Sequence, residues 1–375
     1  MRMRPLLRGV LAALCSLLAL AAQAEPLMPA SDDQVVETLP ATPGRAALAR
    51  AARSAHDAAV LAGALIEQAR AAGDPRPVGQ AMALLQPWAD APDASPEAVL
   101  MMATAEQYVH EFDRSMQRLQ ALVARDPRNP QAWLTLATLQ RLKGRYAESD
   151  RSCAQLLALG ASLHGQACLA ENTGLRGQAT QARATLQRLL AATTEADARG
   201  WLLTTLAEVE ELDGRNAAAE AAYRDALVAE PDGYTTIAFA DFLIRQQRGV
   251  EARALLQGQP RSDAVLLRIA LADPADALGR QAAAELRDRF AQAAERPGAA
   301  ALHARERAMF ALHVAHDPRA ALALARLDLK LQREPADLLV MAEATRATHD
   351  AAARLELRRI AEEIGLHDHR LDDLL

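Results

Sequence analysis

Aromatic residues make up only 3% of this 375-residue chain, and lysine is nearly missing: Lys143 and Lys330 are the sole lysines among 42 basic residues. Long β-branched runs are also missing, so strands have little support. Several catalytic signatures do not occur. There is no glycine-rich phosphate loop followed by lysine, no H-E-x-x-H, no G-x-S-x-G and no C-x-x-C. The chain is therefore not expected to be an enzyme or to carry a cofactor or a metal. Outside residues 10–22 no run is apolar and long enough to span a bilayer. Cysteine is limited to Cys15, Cys153 and Cys168. What is abundant is alanine, leucine and arginine, all good helix formers, within a composition that is 51% hydrophobic. The expected fold class is all-α.

The N-terminus reads as a secretory signal. Arg2, Arg4 and Arg8 precede the short apolar run 10–22, and Ala22-Gln23-Ala24 is a small-x-small cleavage site. Residues 1–24 are thus expected to be a signal peptide cleaved after Ala24, which implies a periplasmic or secreted protein without a membrane span after cleavage. Cleavage removes three arginines and no acid, so the remainder is more acidic than the net charge of −6 for the whole chain. An acidic balance argues against nucleic-acid partners. Residues 25–43, with Pro26, Pro29, Pro40 and Pro43, read as a disordered leader.

From there a pattern returns every 33 to 37 residues: a small residue, a large apolar one four positions on, and another three after that. The series is Val78/Met82/Leu85, Ser115/Leu119/Leu122, Ser149/Cys153/Leu156, Ala182/Leu186/Leu189 and Ala219/Tyr223/Ala226. A period of this size marks stacked helix pairs. The clearest pair runs through Pro130, Trp133, Leu136, Ala137, the turn Gly144-Arg145-Tyr146 and Ser149; a second has Leu203, Leu206, Ala207, Gly214, Ala219, Tyr223, Ala226 and Pro231. The sequence resembles the tetratricopeptide repeat on these residues, best over 96–257 and more loosely elsewhere. The resemblance implies an α-solenoid of antiparallel helix pairs wound as a right-handed superhelix. We divide it into a regular solenoid, 44–257, and degenerate helical repeats with a C-terminal cap, 258–375. The segment Gly258-Gln259-Pro260-Arg261 marks the change.

The repeat also reassigns residues that look chemical. His313, His316 and Asp317, and His367 with His369, have spacings a metal could use. Yet His110, His316 and His349 fall where Gly144, Gly177 and Gly214 turn the chain, so they read as turn residues. Cys153 holds a core position. It and Cys168 lie on helices expected to touch, leaving a disulfide or two buried thiols as alternatives. Glu208, Glu210, Glu211, Asp213, Glu362 and Glu363 read as solvated helix faces.

In tetratricopeptide solenoids the first helices line a concave surface that commonly holds a peptide or partner helix. Carried over repeat by repeat, that implies partner-binding roles for Tyr108, Arg141, Trp201, Glu208, Asp241 and Arg245. With Glu171 and Glu211 nearby, the groove would prefer a neutral or basic protein segment. The scarcity of lysine argues against the Lys and Asn carboxylate clamp that some members use. The expected function is an exported, non-catalytic scaffold or adaptor; alternatives are a structural part of an envelope assembly, or a metal- or small-ligand-handling protein using the histidines.

Overall fold

Caps and stops recur with the apolar period, and they set where each helix begins and ends. The computed structural model describes residues 31, 45–294, 303–372 and 374. The expected signal peptide, and the leader apart from Ser31, lie outside the described residues. Residues 47–375 form one unit. Among the described residues every regular element is an α-helix: α1 (Arg45–Ala51), α2 (Ala55–Ala72), α3 (Arg76–Ala89), α4 (Pro96–Tyr108), α5 (Phe112–Arg125), α6 (Pro130–Leu142), α7 (Tyr146–Ala158), α8 (Ser162–Leu175), α9 (Ala179–Ala192) and α10 (Ala196–Leu212). Then follow α11 (Asn216–Ala229), α12 (Gly233–Arg245), α13 (Gly249–Leu256), α14 (Asp263–Ala272), α15 (Ala277–Ala294), α16 (Ala304–His313), α17 (Pro318–Leu331), α18 (Pro335–Thr348), α19 (Ala351–Ile364) and α20 (His369–Asp372). From α2 to α19 the helices form antiparallel pairs, each packed on the next.

Several first helices start at side-chain caps: Asn129 Oδ1 accepts from the Ala132 N–H at 3.0 Å and Asp232 Oδ1 from the Thr235 N–H at 3.0 Å. The second helix α19 is capped by Asp350 in the same way. Pro96, Pro130 and Pro335 sit at the first helical position, where no N–H is needed. Most first helices end in a left-handed residue: Gly73, His110, Gly144, Gly177, Gly214, Gln247 and His349 all have φ between 54° and 79°. The following N–H then reaches back into the helix, as Glu111 does to the Glu106 carbonyl and Arg145 to that of Gln140, both at 2.8 Å. His316, with φ 55°, has the same conformation between α16 and α17.

Within a pair, the small residue lets the two backbones approach. Ser115 Oγ donates to the Ala103 carbonyl at 2.7 Å and Ser149 Oγ to that of Ala137 at 2.9 Å. Ala182, Ala219, Ala252, Ala321 and Ala353 take the same place later and are wholly buried. The larger residues four positions on, Leu119, Cys153, Leu186, Tyr223 and Leu357, fill the space against the next pair. This shared core makes stability a nearest-neighbour sum along the array. Cys153 and Cys168 are joined as a disulfide between α7 and α8, with a Cα–Cα separation of 5.8 Å.

The C-terminal repeats do not simply extend the stack. They fold back along the turn edge of the earlier ones. Ser262 lies against Gly73. The rings of His303 and His110 are 5.6 Å apart. The Arg333 N–H donates to the Leu142 carbonyl at 2.7 Å, and the His367 N–H to that of Leu175 at 2.8 Å. Tyr146, Leu175 and Leu212, at the ends of three early pairs, share one core with Leu338, Met341, Ile364, Leu366 and Leu371. Burying each such side chain contributes about 1.5–3 kcal/mol, so the closure is a substantial interface rather than a surface touch. Gly144 and Gly177 make it feasible twice over. Their left-handed backbone suits glycine, and a Cβ there would meet Ile364 Cγ2 at 2.7 Å and His367 Cγ at 2.9 Å.

Candidate functional site

Folding back turns the concave face into a chamber of about 330 Å³. One wall comes from the first helices α6, α8, α10, α12 and α14; the other comes from α16, the start of α18, and Arg370 on α20. Helical spacing aims successive residues inward. On α12, Tyr234, Ile237, Asp241 and Arg245 share one face, and Thr205, Glu208 and Leu212 do so on α10. Leu175, Val209, Leu212 and Ile237 supply apolar wall between charged groups.

The charged groups are mostly spoken for. Arg141 pairs with Glu171 at 2.7 Å, and Arg268 donates to both oxygens of Asp241, from Nε at 2.8 Å and Nη2 at 2.7 Å. Glu211 accepts from Arg245, Arg370 and the Tyr223 hydroxyl. Arg305 meets Asp337 at 3.1 Å and Glu334 at 3.3 Å. Such bidentate and shared contacts offset the cost of removing charges from water. Burial works to raise Glu306, but Arg305 and Arg268 beside it pull its carboxyl down to about 2. Burial raises Glu171 in spite of Arg141.

Glu208 is different. Among the described residues its carboxylate has no cationic partner; the Tyr234 hydroxyl donates to it at 2.5 Å. Burial, and then the negative charge of Glu171, push its pKa up to about 8, with Glu334 and Glu211 adding to the effect. The Tyr234 hydroxyl is in turn raised well above its ordinary value, chiefly by the negative charge of Glu208, although the residue as a whole is 65% exposed. Tyr146, only 3% exposed, also lines the chamber, and its hydroxyl has no hydrogen-bond partner. Arg305 Nε is likewise buried without a hydrogen-bond partner.

Of the six residues expected to meet a partner, the structure brings Arg141, Glu208, Asp241 and Arg245 into the chamber. Tyr108 instead packs among the first repeats, and Trp201 stacks on His164 with ring centroids 5.6 Å apart. The expectation that the Glu208–Asp213 run is a solvated face is corrected for two of its members: Glu210 and Glu211 are each only 3% exposed. Arg183 and Arg215 hold Glu210, and the returning C-terminus covers Glu211. Glu362 and Glu363 do face solvent. His313 is bonded to Glu343 at 2.9 Å. Among the described residues no three His, Cys, Asp or Glu side chains converge as metal ligands would. Nor is any described helix long and apolar enough to cross a membrane. Sequence reasoning missed Tyr146, Arg268, Arg305 and Arg370. Arg268 occupies the inner face that the repeat predicts for α14, whereas Arg305 and Arg370 arrive only through the fold-back.

No family model matches the sequence, and no curated protein matches it. Similarity to solved structures is at the level of fold. A thermophilic tetratricopeptide-repeat protein of Thermus thermophilus is 20% identical with a TM-score of 0.42, covering 51% of this chain and 100% of its own. A monomeric mutant of IFIT1 with m7Gppp-AAAA is 13% identical with a TM-score of 0.50, covering 83% of this chain and 72% of its own. A tetratricopeptide-repeat protein of Parabacteroides merdae is 13% identical with a TM-score of 0.34, covering 75% of this chain and 97% of its own. The helix pairs, the left-handed turns and the close packing at small residues themselves make the architecture an α-solenoid of stacked helix pairs, similar to tetratricopeptide-repeat arrays.

Proposed function

We propose that the protein is an exported, non-catalytic scaffold or adaptor that takes a short neutral or basic segment of a protein partner into the chamber. The observation that carries this reading is the convergence of Arg141, Glu208, Asp241 and Arg245 on one concave space. The lining supports binding over catalysis. It includes no Ser, Cys, His or Lys, and every carboxylate but Glu208 is held by an arginine. Export is supported by the signal-like residues 1–24 and fits the disulfide between Cys153 and Cys168. The net charge of −6 favours a basic segment over an anionic ligand such as the m7Gppp-AAAA of the IFIT1 mutant.

The test is capture of partners from an envelope extract by the wild type and by an Arg245→Glu/Glu208→Gln variant. Loss of the captured protein in the variant supports the reading; equal recovery contradicts the assignment of the chamber. A volume of about 330 Å³ also favours a second reading, a carrier of a small ligand, because the space is at the low end of ligand sites.

A further inference from the structure

We propose that the chamber recognises a primary ammonium group on a slim aliphatic stem, seated on Glu208 and Tyr234. The inference deepens the binding function above and rests on it. Three observations converge. Among the described residues Glu208 is the chamber carboxylate left without a cation, while its neighbours Glu171, Glu211, Asp241 and Glu334 each have an arginine. Between the charges the walls carry aliphatic side chains, among them Leu175, Val209, Leu212 and Ile237, which suit methylene groups, together with Tyr146, Tyr223 and Tyr234. And the Tyr146 hydroxyl, buried and without a partner, lines the same space, so a second polar atom of an occupant would satisfy a group that is otherwise costly to leave alone.

The chemistry favours ammonium over guanidinium. Tyr234 already donates to Oε1 of Glu208. That leaves the other oxygen as a single acceptor, which suits a compact ammonium rather than the planar fork of a guanidinium. The groups facing Glu208 are Glu171, Glu211 and Glu334, all paired to arginines, and the Tyr234 hydroxyl. In the empty chamber these acids and burial keep a proton on Glu208 at neutral pH. An arriving ammonium replaces that proton, so binding releases it. Affinity should then rise about tenfold per pH unit below pH 8 and level off above it.

Two sources share this chemistry, a lysine side chain and a free alkylamine. Isothermal titration of the full chain at pH 7 uses an N-acetylated, C-amidated Gly-Lys-Gly peptide, 1-aminopentane, and the neutral comparators N-acetylated, C-amidated Gly-norleucine-Gly and 1-pentanol. Binding of either amine, with the matching comparator inert and close to one proton released, supports the site; the peptide arm assigns a protein source and the free amine a small molecule. Glu208→Gln should cut affinity by about tenfold or more. Tyr146→Phe should also weaken binding of the peptide, which carries a second polar atom, but not of 1-aminopentane, whereas Glu362→Gln, on the exposed face, should weaken neither. Thermal melting of each variant confirms that it is folded. Equal binding of amine and comparator, no binding of either, or an unchanged affinity in folded Glu208→Gln overturns the inference. A captured partner that is lost with Arg245→Glu but indifferent to Glu208→Gln would overturn it while leaving the scaffold reading in place.

Discussion

Replacing Gly144 by alanine measures the fold-back directly, provided the backbone cost is subtracted. At φ 72° an alanine must adopt the left-handed region, which costs an L residue about 1–2 kcal/mol. Its Cβ would also sit 2.7 Å from Ile364 Cγ2 and 3.2 Å from Ile364 Cβ. Ile364 is buried in the core that the C-terminal repeats share with Tyr146 and Leu175, so it has little room to give. Overpacking of that kind adds about 1–3 kcal/mol. Gly160 is the control. Its φ is 84°, yet nothing lies within 4 Å of an added Cβ, so Gly160→Ala carries only the backbone term. Both variants gain the same small benefit from a stiffer unfolded chain. Urea denaturation followed by far-UV circular dichroism should therefore place Gly144→Ala about 1–3 kcal/mol below Gly160→Ala. Limited proteolysis should also cut the former earlier within residues 333–371. Equal stabilities, or a Gly160→Ala that is the worse of the two, would refute the argument that residue 144 is pressed by the returning chain.

Glu208→Gln should change the pH dependence of stability. A carboxyl whose folded pKa is raised from 4.5 to about 8 binds its proton more tightly when folded, so its contribution weakens as pH rises through that window. Relative to the wild type, the variant should gain stability from pH 4.5 to pH 8, by at most about 1.4 kcal/mol per unit; a parallel pair of curves would contradict the assignment. The Cys153–Cys168 disulfide predicts no reactive thiol at either position in denatured, unreduced protein matured after residue 24. The double Ala variant should lose about 3 kcal/mol, the value for a loop of about 15 residues. Two titratable thiols would show the bond is not formed.

How far the sequence reaches can be traced through particular residues. Ser115, Ser149, Ala182 and Ala219 announce the pair packing because the small residue and its period are local properties of one helix. His110, His316 and His349 were legible as turn residues for the same reason, since they stand where glycine stands in other repeats. Arg141, Glu208, Asp241 and Arg245 followed from projecting one helical face. The pairing of Glu211 with Arg370 was not legible. It joins residues 159 apart, and it depends on the curvature accumulated over several repeats. Curvature is a sum of small rotations, and no single position encodes it. Trp201 lies outside the chamber lining, and its stacking on His164 in the preceding pair is a contact that one helical face does not announce.

The central claim is that the array closes on itself and so creates the chamber. Gly177→Cys with His367→Cys tests it in one step. A Cβ at 177 lies 3.1 Å from His367 Cβ, a few tenths of an ångström inside the about 3.5–4.5 Å a disulfide spans, so a slight parting of the two backbones admits the bond, and the second substitution removes the ring that would obstruct it. In a closed array the pair should oxidise in air to a single intramolecular crosslink between positions 190 residues apart, seen as faster migration on a non-reducing gel. Two engineered thiols that stay free in the folded protein, or that link only between molecules, would contradict the closure and with it the chamber.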